Sequence, residues 1–332
     1  MHTLTARNVN QVFPVVMNIW FKTPGMLREI APRGQRTLEL IGPAAITYTM
    51  PDERVLFSPI RDANPFFHLF ESLWIIAGRN DVEFLQRIVS RMADYSDDGV
   101  TFHGAYGERL EHYAQLENAV AELRRDPHSR RALVALWQPE YDSGYTGKDM
   151  PCNTTVAFKL REGRLHMTVF NRSNDAVWGA YGANVVQFSM LQEYVAMLVG
   201  ARLGDYTQVS DSLHIYPDNS PTDKLLERGS WANDPYEDHP AVTPQAFLST
   251  DETPEMWQSD LGMFFWLKWN REDFLTAWWR GVAVPMWRAL NAYKAGELGH
   301  AVNTAETVTA TDWRAAAVQW LQRRIAARVV AA

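Results

Sequence analysis

The stretch Asp149-Met150-Pro151-Cys152-Asn153-Thr154-Thr155, followed twenty residues after its cysteine by Asn171-Arg172-Ser173-Asn174-Asp175, decides how this chain is read. Cys152 is the only cysteine in 332 residues. It forms neither an intramolecular disulfide nor a multi-cysteine metal site. If it does chemistry, it acts as a nucleophile, and the nucleophilic form of a thiol is the thiolate. An arginine and a hydroxyl brought close to it, Arg172 and Ser173, would supply a positive field that lowers the thiol pKa and would hold a phosphate. The competing reading of a lone cysteine is a small buried hydrophobe, and the residues around Cys152 decide between the two.

The apolar fraction is 46%, with 13 Trp, 12 Tyr and 15 Phe, enough for a packed core. The formal charge of −7 argues against non-specific nucleic-acid binding, which draws its affinity from clustered Lys and Arg. No apolar run reaches the ~18 residues of a membrane span. The first residues, Met1-His2-Thr3-Leu4-Thr5-Ala6-Arg7, lack the apolar centre of a signal peptide. With one cysteine and no export signal, the expectation is a reducing cytosol.

Patterning predicts a mixed α+β protein. Residues 36–49 read as strands, and residues 65–77 as a buried helix opened by Pro65 and ended at Gly78. Further helices are expected over 81–93, 112–125 and 185–198, and strands over 132–137, 154–160 and 164–171. Residues 217–260, rich in Pro, Asp, Ser and Thr, read as mostly loop, and 261–332 as mostly helix.

Three further groups carry chemistry. Glu71 lies in the otherwise apolar helix among Phe67, Phe70, Trp74 and Ile75, where burial would raise its pKa toward acid/base use. The alternative is the helix's one polar edge. Ser129-Arg130-Arg131 precedes a strand; two solvated charges are the usual outcome, a phosphate clamp with Arg172 and Ser173 the sharper one. His214 and Tyr216, two apart on a short strand, would face the same way and could bind one hydroxyl. No zinc-ligand spacing, Gly-rich phosphate loop or dinucleotide fingerprint is present.

Taken in order, Glu71 with Trp74, Ala105-Tyr106-Gly107, Ser129-Arg130-Arg131, Pro151-Cys152-Asn153, Arg172-Ser173-Asn174-Asp175 with Gly179, Asn184, and His214 with Tyr216 resemble the thymidylate synthase family. Within it they are most similar to the phage-type deoxycytidylate hydroxymethylases. The resemblance spans about residues 30–216 and implies a thymidylate synthase-like fold, a mixed β-sheet covered by helices. Residues 1–332 would form one such domain, with 217–332 a divergent, loop-rich and helical C-terminal portion.

The resemblance also implies roles. Cys152 would add to C6 of a pyrimidine nucleoside monophosphate, with 5,10-methylenetetrahydrofolate as one-carbon donor. Arg172, Ser173 and Arg33 would bind the 5′-phosphate, joined by Arg130 and Arg131 from the second subunit of a homodimer with shared active sites. His214 and Tyr216 would bind the sugar hydroxyl. Asp175 and Trp74 would contact the pterin, Glu71 would organise water and protons, and Tyr106 would assist proton removal at C5. Asn184 matches the base-reading position only with one extra residue after Gly179; otherwise Ala183 falls there. An amide serves either base, and the similarity of the motifs puts cytosine slightly ahead of uracil. The expected product is 5-hydroxymethylated; a methyltransferase making dTMP or 5-methyl-dCMP is the close alternative, and a catalytically idle nucleotide- or RNA-binding regulator the remote one.

Overall fold

The computed structural model describes residues 1–229, 234–239, 241–267 and 273–331. Among the described residues, ten strands form two sheets: β1 His2–Ala6, β2 Leu27–Ile30, β3 Thr37–Leu40, β4 Ala44–Tyr48, β5 Leu133–Ala135, β6 Asn153–Arg161, β7 Arg164–Asn171, β8 Asn174–Asp175, β9 Arg202–Ser210 and β10 Leu213–Ile215. The larger sheet runs β1-β4-β9-β7-β6-β5 and the smaller β2-β3-β10-β8. Both mix parallel and antiparallel pairs.

The β6–β7 hairpin is the element that matters most. Glu162 and Gly163 both have positive φ, 51° and 69°, the requirement of a two-residue turn whose twist matches its strands. The turn fixes the register from Arg161 opposite Arg164 to Asn153 opposite Asn171, with one irregularity between Asn153 and Thr155. Alternation places Leu165, Met167 and Val169 in the core, and leaves His166, Thr168 and Phe170 on the more exposed face.

The helix expected near 65–77 spans Pro65–Ile76, with Pro65 and Gly78 in the places the sequence suggested and an Asn64 cap that the structure adds. Asn64 Oδ1 accepts from the N–H groups of Phe66 (3.1 Å) and Phe67 (3.2 Å), Pro65 occupies the first turn, and Gly78 follows with φ 69°. Its apolar side joins the C-terminal third of the chain: Phe70 stacks on Phe264 (5.9 Å) and meets Trp287 edge-on (4.9 Å). The helix Tyr106–Glu111 packs against its end at a contact only glycine allows. A Cβ on Gly107 would lie 2.7 Å from the backbone of Arg79.

Among the described residues, 217–260 is mostly loop as expected, though Thr222–Arg228, Pro235–Asp238 and the start of Pro254–Trp266 are helices. Several residues that read as loop signals are helix starts: Thr253 Oγ1 accepts from Met256 N–H at 3.4 Å, and Pro254 opens the first turn. The N-terminal segment, which yielded no pattern, supplies β1 and a helix from Val9 to Trp20 that finishes in π geometry. Among the described residues no helix is long and apolar enough to cross a membrane.

Candidate active site

Cys152 immediately precedes β6 and Arg172 immediately follows β7, so the hairpin closes the twenty-residue gap between them. Arg172 N–H donates to the Cys152 carbonyl (3.0 Å), its Nε to the Pro151 carbonyl (2.9 Å) and its Nη2 to the Met150 carbonyl (3.2 Å). Nη2 then stands 4.0 Å from Cys152 Sγ. The expected lowering of the thiol pKa is not the net result. Burial pushes it up and outweighs the pull of Arg172 and Arg33, with Asp149 and Asp175 adding to the rise. Burial therefore favours the thiol form of Cys152, with the Arg172 guanidinium beside it acting in the opposite sense.

A line of amides leads from the thiol into the protein. Tyr106 OH accepts from Asn153 N–H (3.2 Å) and Asn153 Nδ2 (2.7 Å). Asn153 Nδ2 also faces Asn184 Oδ1 (3.5 Å), Asn184 Nδ2 donates to Asn174 Oδ1 (3.0 Å), and Asn174 Nδ2 to Ser210 Oγ (3.0 Å). A Cβ on Gly179 would lie 3.0 Å from Asn174 Oδ1 and 3.4 Å from Asn184 Nδ2, so this glycine leaves room for the pair. Residues Ala176–Ala183 form a π-helix capped by Asp175, whose Oδ1 accepts from Val177 N–H (2.8 Å) and Trp178 N–H (3.3 Å). Wider π winding is how a helix absorbs an inserted residue. It lies where one extra residue is needed for Asn184, rather than Ala183, to face Asn153 and Asn174. Ala183 lines the neighbouring cavity instead.

The small sheet brings up the rest. In the β8–β10 pairing His214 lies beside Asp175. His214 is buried, its Nδ1 3.2 Å from the Ser212 carbonyl, and its ring meets Tyr216 edge-on at 5.2 Å. An Nδ1–H donated to that carbonyl leaves Nε2 as an acceptor. Arg33, in a left-handed turn (φ 52°), acts electrostatically on both Cys152 and Tyr216. Ser173, half-buried, sits between Arg172 and Asn174.

Glu71 is the anomaly the sequence pointed to. Burial lifts its carboxyl to about 8; a Gln187 contact tempers this and the charge of Asp149 adds to it. Glu71 Oε2 and Gln187 Oε1 are buried without hydrogen-bond partners, a costly state that bound water or ligand would relieve. Glu71 opens onto a cavity of about 520 Å³ whose other walls include Phe67, Met92, Trp178 and Trp320. Trp74 does not line that cavity. It is 3% exposed, and its Nε1 donates to Asp81 (3.1 Å).

Arg130 and Arg131 stand apart. Both are exposed just before β5, and Arg131 pairs with Glu122 at 3.1 Å. The sequence reading gave no role to Asn153, Asn174, Gln187 or Asp149. Gln187 was open to inference, three residues from Asn184 on the same helical face. Asp149 carries no periodic signal. It is raised by burial, accepts from Gly104 N–H (2.7 Å), and acts electrostatically on Cys152, Tyr106 and Glu71.

The thymidylate synthase family model matches residues 27–242. The chain belongs to the thymidylate synthase family. It is 42% identical to the deoxyuridylate hydroxymethyltransferase of Pseudomonas phage M6, over 98% of this chain and 95% of that protein. It is 39% identical to that of Bacillus phage SP01, over 66% of this chain and 60% of the relative. Among solved structures it resembles thymidylate synthase from T4 phage (TM-score 0.54, 18% identity, 66% of this chain and 79% of that one). Thermostable thymidylate synthase A from Bacillus subtilis is similarly related (TM-score 0.53, 22% identity, 67% and 83%). These two likenesses show the α+β fold. The family and its relatives make the protein a one-carbon transferase acting at C5 of a pyrimidine.

The Glu71 carboxyl sets a pH dependence of stability. Its folded pKa is raised, so the folded state binds the extra proton. The contribution of Glu71 to stability is therefore greatest below the ordinary carboxylate value of 4.5 and falls as pH rises toward about 8, by up to about 1.4 kcal/mol per pH unit. Glu71→Gln, which stays neutral, should flatten that slope in denaturant melts between pH 5 and pH 8 (roughly this window). An unchanged slope would show that Glu71 is not the buried acid.

Proposed function

We propose that this chain converts deoxyuridylate to 5-hydroxymethyldeoxyuridylate with 5,10-methylenetetrahydrofolate. The observation that carries the reading is Cys152 Sγ 4.0 Å from the Arg172 guanidinium, beside the Tyr106–Asn153–Asn184 line. Uracil replaces cytosine as the first choice because the relative matched over nearly the whole chain is a deoxyuridylate enzyme. The Asn184 amide suits uracil, accepting from N3–H and donating to O4. The shared core of the N- and C-terminal portions supports one domain, and we place the enzyme in the cytoplasm, the host's if phage-encoded.

Arg172, Ser173 and Arg33 bind the 5′-phosphate, and His214 with Tyr216 the sugar hydroxyl. Arg172 then favours the thiolate of Cys152, which adds to C6. The electron pair of the C5–C6 double bond becomes available at C5, which bonds to the donated carbon. When bound, the folate supplies that carbon at the oxidation level of formaldehyde. Tyr106 assists loss of the C5 proton; the electron pair of that C–H bond forms the exocyclic C=C bond as the bond from the donated carbon to the carrier nitrogen breaks, so the carrier leaves as the free amine and an exocyclic methylene remains. Water adds to this methylene and Cys152 is expelled from C6, so no reductant is consumed. The unpartnered oxygens of Glu71 and Gln187, with Asp149 in electrostatic reach, suit the holding of that water. Asp175, capping the π-helix through Oδ1, has its other oxygen for the pterin. The aromatic cavity beside Glu71 and its cationic rim fit an anionic folate. Methyl transfer, the chemistry of the solved neighbours, remains the second reading and requires a hydride from the folate.

Incubation with methylenetetrahydrofolate and, separately, dUMP, dCMP and CMP should give a product only or chiefly from dUMP, at the mass of the hydroxymethyl derivative. Cys152→Ser should lose turnover by roughly three orders of magnitude or more while still binding dUMP, because an alcohol is a far poorer nucleophile at neutral pH. A methylated product, or near-normal turnover of the serine variant, would overturn the corresponding assignment.

If Asn184 reads the base, Asn184→Asp should move the dCMP/dUMP ratio of kcat/KM toward cytosine by about tenfold or more, since a carboxylate opposes O4 of uracil. A fixed ratio would return the role to Ala183.

We further propose a homodimer in which Arg130 and Arg131 reach the partner's phosphate site; their exposure favours this. Mixing inactive Arg131→Ala with inactive Cys152→Ser should restore part of the activity after subunit exchange. A mixture that stays inactive would exclude shared sites.

A further inference from the structure

The cavity beside Glu71 is closed by a part of the chain that the family match does not reach. The helix Thr311–Ala331 lies beyond residue 242 and contributes Trp320 and Arg324 to the cavity wall. Trp320 packs edge-on against Phe66 of the Glu71 helix (5.6 Å) and is 5% exposed, and its Nε1–H has no acceptor. Arg324 lies over Trp320, Cζ 3.8 Å from the ring centroid. Both its terminal nitrogens bind Asp62, at 2.7 and 2.6 Å, while Arg323 Nε binds the same carboxylate at 2.8 Å. Asp62 holds this position in a left-handed conformation (φ 50°), unusual for a residue with a Cβ.

The cavity is cationic although the protein carries a net charge of −7. Arg61, Arg91, Lys224 and Arg324 line it against the carboxyls of Asp62 and Glu71, and burial keeps the second largely protonated near neutral pH. His68 adds no charge, since burial and Arg61 push its pKa down to about 3. An occupant matching these walls is flat and apolar for most of its length and anionic at one end.

We propose that Trp320 and Arg324 are cofactor-binding residues: the indole walls the aminobenzoyl portion of the folate, and Arg324, aligned by Asp62, binds the carboxylates of its glutamate tail. This inference rests on the folate reading above. It gives the divergent C-terminal portion a task in the active site.

The test is calorimetric binding of tetrahydropteroate, which lacks glutamate, tetrahydrofolate and tetrahydrofolate triglutamate. Arg324→Gln should weaken the triglutamate by about tenfold, the monoglutamate less, and tetrahydropteroate not at all, as expected for a lost charge-assisted contact. Trp320→Phe should weaken all three. If Arg324→Gln does not fold after losing its contact with Asp62, Arg324→Lys keeps the cation without the bidentate geometry and should show a smaller loss in the same order. Equal affinities in a natively folded Arg324 variant would overturn the assignment and leave the folate reading standing. Binding of dUMP with no binding of any of the three folates by the unaltered protein would overturn both.

Discussion

The active site depends on the way Arg172 is tied to the peptide that carries Cys152. Three donors of one residue, its backbone N–H, Nε and Nη2, take the carbonyls of Cys152, Pro151 and Met150. These bonds fix the guanidinium relative to the thiol before any ligand arrives, which is preorganisation in the sense that matters for catalysis. They in turn require the β6–β7 register. A slip of one residue would turn Leu165, Met167 and Val169 out of the core and carry Arg172 to the other face of the strand pair.

Around this tie the site holds polar groups that a stability-driven interior would avoid. Glu71 is a carboxyl in an apolar helix, with one oxygen unpartnered and an unpartnered Gln187 oxygen among its neighbours. The Asn153–Asn184–Asn174 line buries three amides in series, and Asn153 Oδ1 remains without a partner. Burying such groups costs free energy unless hydrogen bonds compensate. Much of that cost is met within the asparagine line, while Glu71 Oε2, Gln187 Oε1 and Asn153 Oδ1 are left without protein partners. The π-helix serves the same end, because it trades regular hydrogen bonding for the position of Asn184.

The C-terminal third is joined to this arrangement rather than appended to it. Phe264 and Trp287 pack on Phe70, one residue from Glu71. Tyr236 OH donates to Asp312 (3.0 Å) and accepts from Val55 N–H (3.3 Å), linking three distant parts of the chain. The helix carrying Trp320 is thereby held against the Glu71 helix, where its side chains form one wall of the cavity.

Residue types and local order were enough to specify the lone thiol, the anomalous Glu71, a helix opened by Pro65 and ended at Gly78, and the alternation of β7. Each is a short-range property, written in periodicity, caps and composition. Tertiary structure decided what depends on separation in space. Burial outweighed Arg172 at the thiol, the π-helix before Asn184 set that amide beside Asn153 and Asn174 while Ala183 lines the cavity, Trp74 turned from the cavity toward Asp81, and Trp320 and Arg324 arrived from beyond residue 300. A pKa and a cavity wall are sums over neighbours distant in the chain, and a linear pattern records none of their distances.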